Sequence, residues 1–115
     1  MTDRELLEMA AKAAGITIKP VEIKNVEFAG DDRFIGYSTD PHEWLRGWFN
    51  PLTDDDDALR LAVVVGIDVD QYGDRVETWK AGLEGFIVEP YSVDPCAATR
   101  RAIVRAAAAI GSAMQ

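Results

Sequence analysis

Four consecutive aspartates, Asp54, Asp55, Asp56 and Asp57, are the densest set of potential cation ligands in the chain. A hard cation needs several oxygens converging on one point. Successive residues of a helix fan out by about 100°, so at most two of the four would share a face of a helix. A second acidic pair, Asp68 and Asp70, opens like a calcium loop, with Gly73 at the sixth position. That pattern then fails, because Tyr72 stands at the fifth position and Trp79 where the bidentate glutamate belongs. His42 lies beside Asp40 and Glu43, with Asp31 and Asp32 upstream. Histidine titrates near neutrality and could act as a base or a ligand there. No serine or cysteine stands in a recognisable nucleophile context beside it. Cys96 follows a predicted helix start, where thiols gain reactivity, but its alanine neighbours favour a buried small hydrophobe.

The aromatic residues offer contact chemistry. Trp44, Trp48, Phe49 and Trp79 are of the types enriched in interface hot spots. Trp44, in a polar segment near Arg46, is the candidate for an exposed contact, whereas Trp48 and Phe49 read as core. Glycine-rich phosphate loops, dinucleotide fingerprints and zinc-finger spacings are absent from the sequence.

The element that must position the four aspartates is a helix. Asn50-Pro51 is turn chemistry, since proline fixes its own φ and drives the preceding residue out of the helical region. Thr53 is the expected N-cap, and the acids then fill the first turn, where the helix dipole favours each by roughly 0.3–1 kcal/mol. Ala58, Leu59, Leu61, Ala62 and Val65 form the apolar face, and Gly66 ends the helix. Helix capping with a solvated acidic surface is therefore a better reading of the four acids than a metal cluster.

Around this centre the chain punctuates itself clearly. Thr2-Asp3-Arg4-Glu5 is a capping box opening a helix with Leu6, Leu7, Met9, Ala10, Ala13 and Ala14 on its stripe, closed by Gly15. Ile16, Ile18, Val21 and Ile23 alternate with polar residues, and Pro20 marks that segment as an edge strand or a break. Residues 29–43 are the least regular and suggest a loop, with a short strand through Phe34 to Tyr37. Beyond the central helix, the runs at Ile67–Tyr72, Val76–Lys80 and Phe86–Val88, separated by Tyr72-Gly73-Asp74 and Gly82-Leu83-Glu84-Gly85, predict a three-stranded antiparallel meander. Asp94 caps a last helix with Pro95 at its first position. Its apolar face is read as Thr99, Ile103, Ala106, Ala107, Ile110 and Met114.

The expected fold is thus α+β: one domain over residues 1–115, with an antiparallel sheet of three to four strands packed with about three helices. Net charge is −8 with a single histidine, which argues against a basic nucleic-acid surface. Residues 31–70 hold ten acids against Arg33, Arg46 and Arg60, while the last twenty-one residues carry Arg100, Arg101 and Arg105 and no acid. The two zones could meet a partner or each other. One cysteine excludes an internal disulfide, and no signal peptide or apolar run long enough to span a membrane is visible. The expected setting is soluble and cytoplasmic, with no cofactor.

Three segments carry a resemblance: Trp48-Phe49-Asn50-Pro51-Leu52-Thr53-Asp54, then Asp57-Ala58-Leu59-Arg60-Leu61-Ala62, and the tail from Asp94 to Ala107. Together they resemble small bacteriophage and prophage proteins of the ABA-sandwich type, over roughly residues 44–112 and the opening helix. Such proteins typically carry glycine at one of the positions of Asp54–Asp57 and a shorter segment between Gly15 and Trp48. The resemblance implies phage origin, a host bacterial cytoplasm and a helix–sheet–helix layer, and it brings no catalytic residue.

The resulting expectation is a phage accessory protein that binds a host or phage protein, is not an enzyme, and uses neither nucleic acid nor membrane. Its candidate contact surface is Asp54, Asp55, Asp56 and Asp57 together with Asp40, His42 and Trp44. Two alternatives stand beside it. One is a metal-dependent enzyme using the aspartates and His42. The other is a self-assembling homo-oligomer in which Arg100, Arg101 and Arg105 of one copy meet the acids of the next.

Overall fold

In a computed structural model, residues 1–20, 34–38 and 47–114 are described, with side chains for 1–16 and 49–114. Among the described residues, three helices and six strands follow in the order α1 (Asp3–Ala14), β1 (Ile16–Pro20), β2 (Phe34–Ser38), β3 (Gly47–Phe49), α2 (Asp55–Val65), β4 (Asp68–Gln71), β5 (Arg75–Trp79), β6 (Ile87–Pro90) and α3 (Pro95–Ala113). The class is α+β, as expected, but the strands form two antiparallel sheets of three, β1-β2-β3 and β4-β5-β6.

The predicted helix signals operate locally. Thr2 caps α1, accepting from the Glu5 N–H at 3.2 Å. The Glu5 carboxylate meets the Thr2 hydroxyl at 3.1 Å instead of reaching the backbone, so the box closes side chain to side chain. Gly15, at φ 71°, turns the chain out of the helix directly into β1. Asp94 caps α3 by accepting from the N–H groups of Cys96 and Ala97, with Pro95 in the first turn. Pro20 is the last residue of β1, which among the described strands lies at the sheet edge beside β2. The alternation proposed at Val21 and Ile23 lies outside the described residues.

The β4-β5-β6 meander sets its register by residue pairs across all three strands. Val69, Thr78 and Ile87 form one row, and Gln71, Val76 and Glu89 form the next. Because side chains alternate in a strand, these two rows share the face that turns toward α3. Val76 and Thr78 are fully buried there. The Thr78 hydroxyl donates to the Ala102 carbonyl of α3 at 2.8 Å, while Arg105 of α3 donates to the Glu89 carboxylate. One sheet face is thereby fastened to one helix by apolar packing and polar ties.

Helix α3 is the hub, touching α1, α2, β5 and β6. Its partner α1 runs alongside in the same direction: Arg101 pairs with Asp3 at 3.1 Å, and Lys12 donates to the Met114 carbonyl at 2.9 Å. Between them the faces are small residues, with Ala10 and Ala11 of α1 and Ala106, Ala107 and Ala108 of α3 all buried. Leu7, Phe49, Leu61 and Val104 supply the bulk of the same core. On α3 Ile103, Ala106 and Ala107 are buried as expected and Ile110 packs against the core, with Ala102, Val104, Ala108 and Gly111 also buried, whereas Met114 is exposed. On α2 the buried positions are Asp57, Ala58, Leu61, Ala62 and Val65; Leu59, expected in the core, points away at 64% exposure because it lies about 100° round the helix from Ala58.

Gly111 marks a close approach of α1 and α3. A Cβ at this position would stand 1.8 Å from the Met9 carbonyl oxygen. Gly111→Ala is expected to lower stability by about 1–3 kcal/mol or more despite its better helix propensity, measured by denaturant unfolding. An unchanged or raised midpoint would show that the two helices part at little cost. Thr78→Val, which keeps the branched shape and deletes the hydroxyl, is expected to cost about 1 kcal/mol in the same assay.

Candidate functional site

The acidic turn is built from its preceding bend. The N–H groups of Thr53 and Asp54 both donate to the Asn50 carbonyl, at 3.1 and 2.9 Å, and Pro51 is buried beneath them. These bonds hold Thr53 inside the bend and leave Asp54 at the helix boundary. Asp54, and not Thr53, is therefore the N-cap, with its carboxylate accepting from the Asp56 N–H at 3.0 Å.

The four aspartates then separate into different roles. Asp54, Asp55 and Asp56 are exposed, while Asp57 is only 4% exposed. The Asp57 carboxylate accepts from the Asn50 N–H at 2.9 Å, tying the first turn of α2 to the start of the bend. Burial pushes the Asp57 carboxyl above its ordinary range, the Asn50 N–H opposes that shift, and Asp54 and Asp56 add to it against the pull of Arg60. Asp57, expected beside its neighbours on an exposed candidate surface, is instead buried and holds the bend together. Asp55 receives Arg100 Nη1 of α3 at 2.6 Å, and the same guanidinium donates through Nε to the Leu52 carbonyl at 2.9 Å. With its side chain only 16% exposed, Arg100 pins the bend and the start of α2 onto α3.

Beside this joint, α2, β4 and the first turns of α3 enclose an open cleft of about 470 Å³. That volume falls within the range of binding clefts. Ala58, Ala62, Val69 and Ile103 give it an apolar lining, and Asp55, Gln71, Thr99 and Arg100 supply its polar groups. Gln71 donates to the Thr99 hydroxyl at 3.4 Å, which itself donates to the Pro95 carbonyl at 2.8 Å. Leu59 stands on the α2 side, and Val63, one turn further, is 73% exposed.

Cys96 corrects an expectation: it is exposed, at the cleft, because it sits in the first turn of α3 before the buried face begins at Ala102. Asp68 and Asp70 are exposed on β4, as a strand's solvent face requires. Asp40, His42 and Trp44 lie outside the described residues, as does the Trp48 side chain; Phe49 is fully buried. Among the described residues, no group of three or more His, Cys, Asp or Glu is placed to hold a metal ion. The role of Arg100 was missed by sequence reasoning, which placed it in a basic tail. Its position four after Cys96 and three before Ile103 sets all three on one side of α3.

Comparison with protein-family models, curated proteins and solved structures found no match. Among the described residues, no helix is long and apolar enough to cross a membrane.

Asp57 gives the site a pH signature. An acid whose folded pKa is raised contributes stability that is fully present below its unfolded value and is lost as pH rises through the folded value. The contribution of Asp57 should therefore decline above its ordinary value of 3.8. Asp57→Asn keeps an acceptor for the Asn50 N–H and removes the charge. Its stability relative to the wild type should rise with pH across that window, measured by denaturant unfolding at a series of pH values. A difference that stays constant with pH would remove the buried charge from the account.

Proposed function

We propose that the protein acts by binding, not by catalysis, and that it takes a basic, amphipathic segment of another protein at the acidic turn of α2 and the cleft beside it. The observation that carries this reading is the juxtaposition of the exposed acids Asp54, Asp55 and Asp56 with an apolar-lined cleft whose α2 side carries exposed Leu59. Apolar side chains of the segment would enter the cleft, and its Lys or Arg residues would face the acids. Charge complementarity of this kind raises association rates and selects partners more than it adds affinity. With the resemblance to small phage proteins, the target is a host or phage protein in a bacterial cytoplasm.

The arginines of α3 favour this reading over self-assembly. Arg100 is engaged by Asp55, Arg101 by Asp3 and Arg105 by Glu89, all within one chain. A second copy would have to break these pairs to use them.

An amphipathic helical peptide of Lys and Leu, titrated at near-physiological salt and followed by amide NMR, tests the proposal. Saturable shifts should centre on residues 54–63 and on Thr99. Asp54→Asn with Asp56→Asn should weaken binding several-fold while the fold is retained, since asparagine caps a helix as well as aspartate does. Equal binding by this double variant at low salt would sink the acidic-turn reading.

A further inference from the structure

The second sheet presents another surface on the side away from α3. Its registers line up three rows on that face. Asp68 stands opposite Trp79, whose ring meets Phe86 edge-on with centroids 6.2 Å apart. Asp70 stands opposite Glu77, which stands opposite Val88. Tyr72, whose N–H donates to the Arg75 carbonyl, completes a third row with Arg75 and Pro90. Phe86 is 59% exposed, and Tyr72 and Val88 are also exposed. Large aromatic and apolar groups in contiguous rows on an open sheet are typical of interaction sites.

The only base in these rows shows what the face recognises. The Arg75 guanidinium lies over the Tyr72 ring, 4.3 Å from its centroid, and donates to Asp74 at 2.8 Å and to Glu77 at 2.9 Å. An aromatic face with flanking carboxylates thus already holds one guanidinium. The row at the opposite end of this face, beyond Asp70, Glu77 and Val88, repeats those components, Trp79 and Phe86 with Asp68, and among the described residues includes no cation.

We propose that this open face docks an extended, arginine-bearing segment of a partner protein, with a guanidinium set against Trp79 and Phe86 and paired with Asp68 or Asp70. Two other occupants are disfavoured by charge. A second copy docked face to face would gather Asp68, Asp70 and Glu77 of both copies in one interface while each Arg75 is already engaged, and like charges brought together are destabilising. A nucleic acid would bring phosphates onto carboxylates. The surface is separate from the α2 cleft, so the two proposals stand or fall independently.

The test uses acetyl-Arg-Gly-Arg-Gly-Arg-amide, whose glycines prevent it from forming the amphipathic helix suited to the cleft. Amide and indole NMR at near-physiological salt should show saturable shifts at Tyr72, Trp79, Phe86 and Val88. Phe86→Ser leaves the net charge unchanged and should weaken binding at least about fivefold; Asp70→Asn, at an exposed position, should weaken it as well. A native-like amide spectrum confirms that each variant is folded. Shifts confined to Asp54–Asp56, or affinity unaffected by Phe86→Ser, would overturn the proposal. So would concentration-dependent dimerisation that buries Phe86, because the occupant would then be a second copy.

Discussion

The contact on which the rest of the structure depends is the parallel packing of α1 against α3. Its faces are rich in alanine and include one glycine, so the backbones approach closely and many short contacts add to those of the bulkier Leu7 and Val104. Close packing of this kind tolerates little change in volume, which is why the Met9 carbonyl leaves no room at Gly111. With α1 fixed on one side of α3, the other sides remain for α2 and for β5 and β6. Every surface discussed above is therefore positioned through α3.

Charge serves the same assembly. The acidic and basic zones of the sequence come together inside one molecule, where each arginine of α3 joins a different element: Arg101 the start of α1, Arg100 the bend before α2, Arg105 strand β6. Exposed ion pairs contribute little energy individually, on the order of 0–1 kcal/mol. Their effect is directional, because they fix which part of each neighbour lies against the helix. They also leave the exposed acids of the α2 turn and of β4 to dominate two surfaces that carry apolar groups as well.

Local signals in the sequence were sufficient where structure is decided locally. The caps at Thr2 and Asp94, the glycine exits at Gly15 and Gly66, the edge position of Pro20 and the β4-β5-β6 meander all follow from residue type and spacing. The β1-β2-β3 sheet was less legible, because β3 is only three residues long and no tight-turn signature joins β1 to β2. Within Asp54–Asp57, composition alone cannot say which carboxylate turns inward; that depends on where the Asn50 N–H lies, and only the folded bend determines it. Leu59 and Cys96 mislead for a related reason. Their apolar character suggests burial, whereas their angular positions on α2 and α3 set them beside the cleft. The polar groups of that cleft come from Asp55, Gln71, Thr99 and Arg100, which no local pattern unites.

The pairing of Asp3 with Arg101 spans 98 positions of sequence, whereas β4, β5 and β6 are joined by short turns. Contacts between distant residues form slowly, because the intervening chain must first lose its freedom. The meander can therefore organise early on local information, while the apolar faces of α1 and of the meander itself stay uncovered until α3 arrives. During synthesis these faces are exposed to competing contacts for as long as the ribosome still holds α3. Folding of these elements is consequently gated by α3, and the interval before that helix docks is when aggregation competes most strongly.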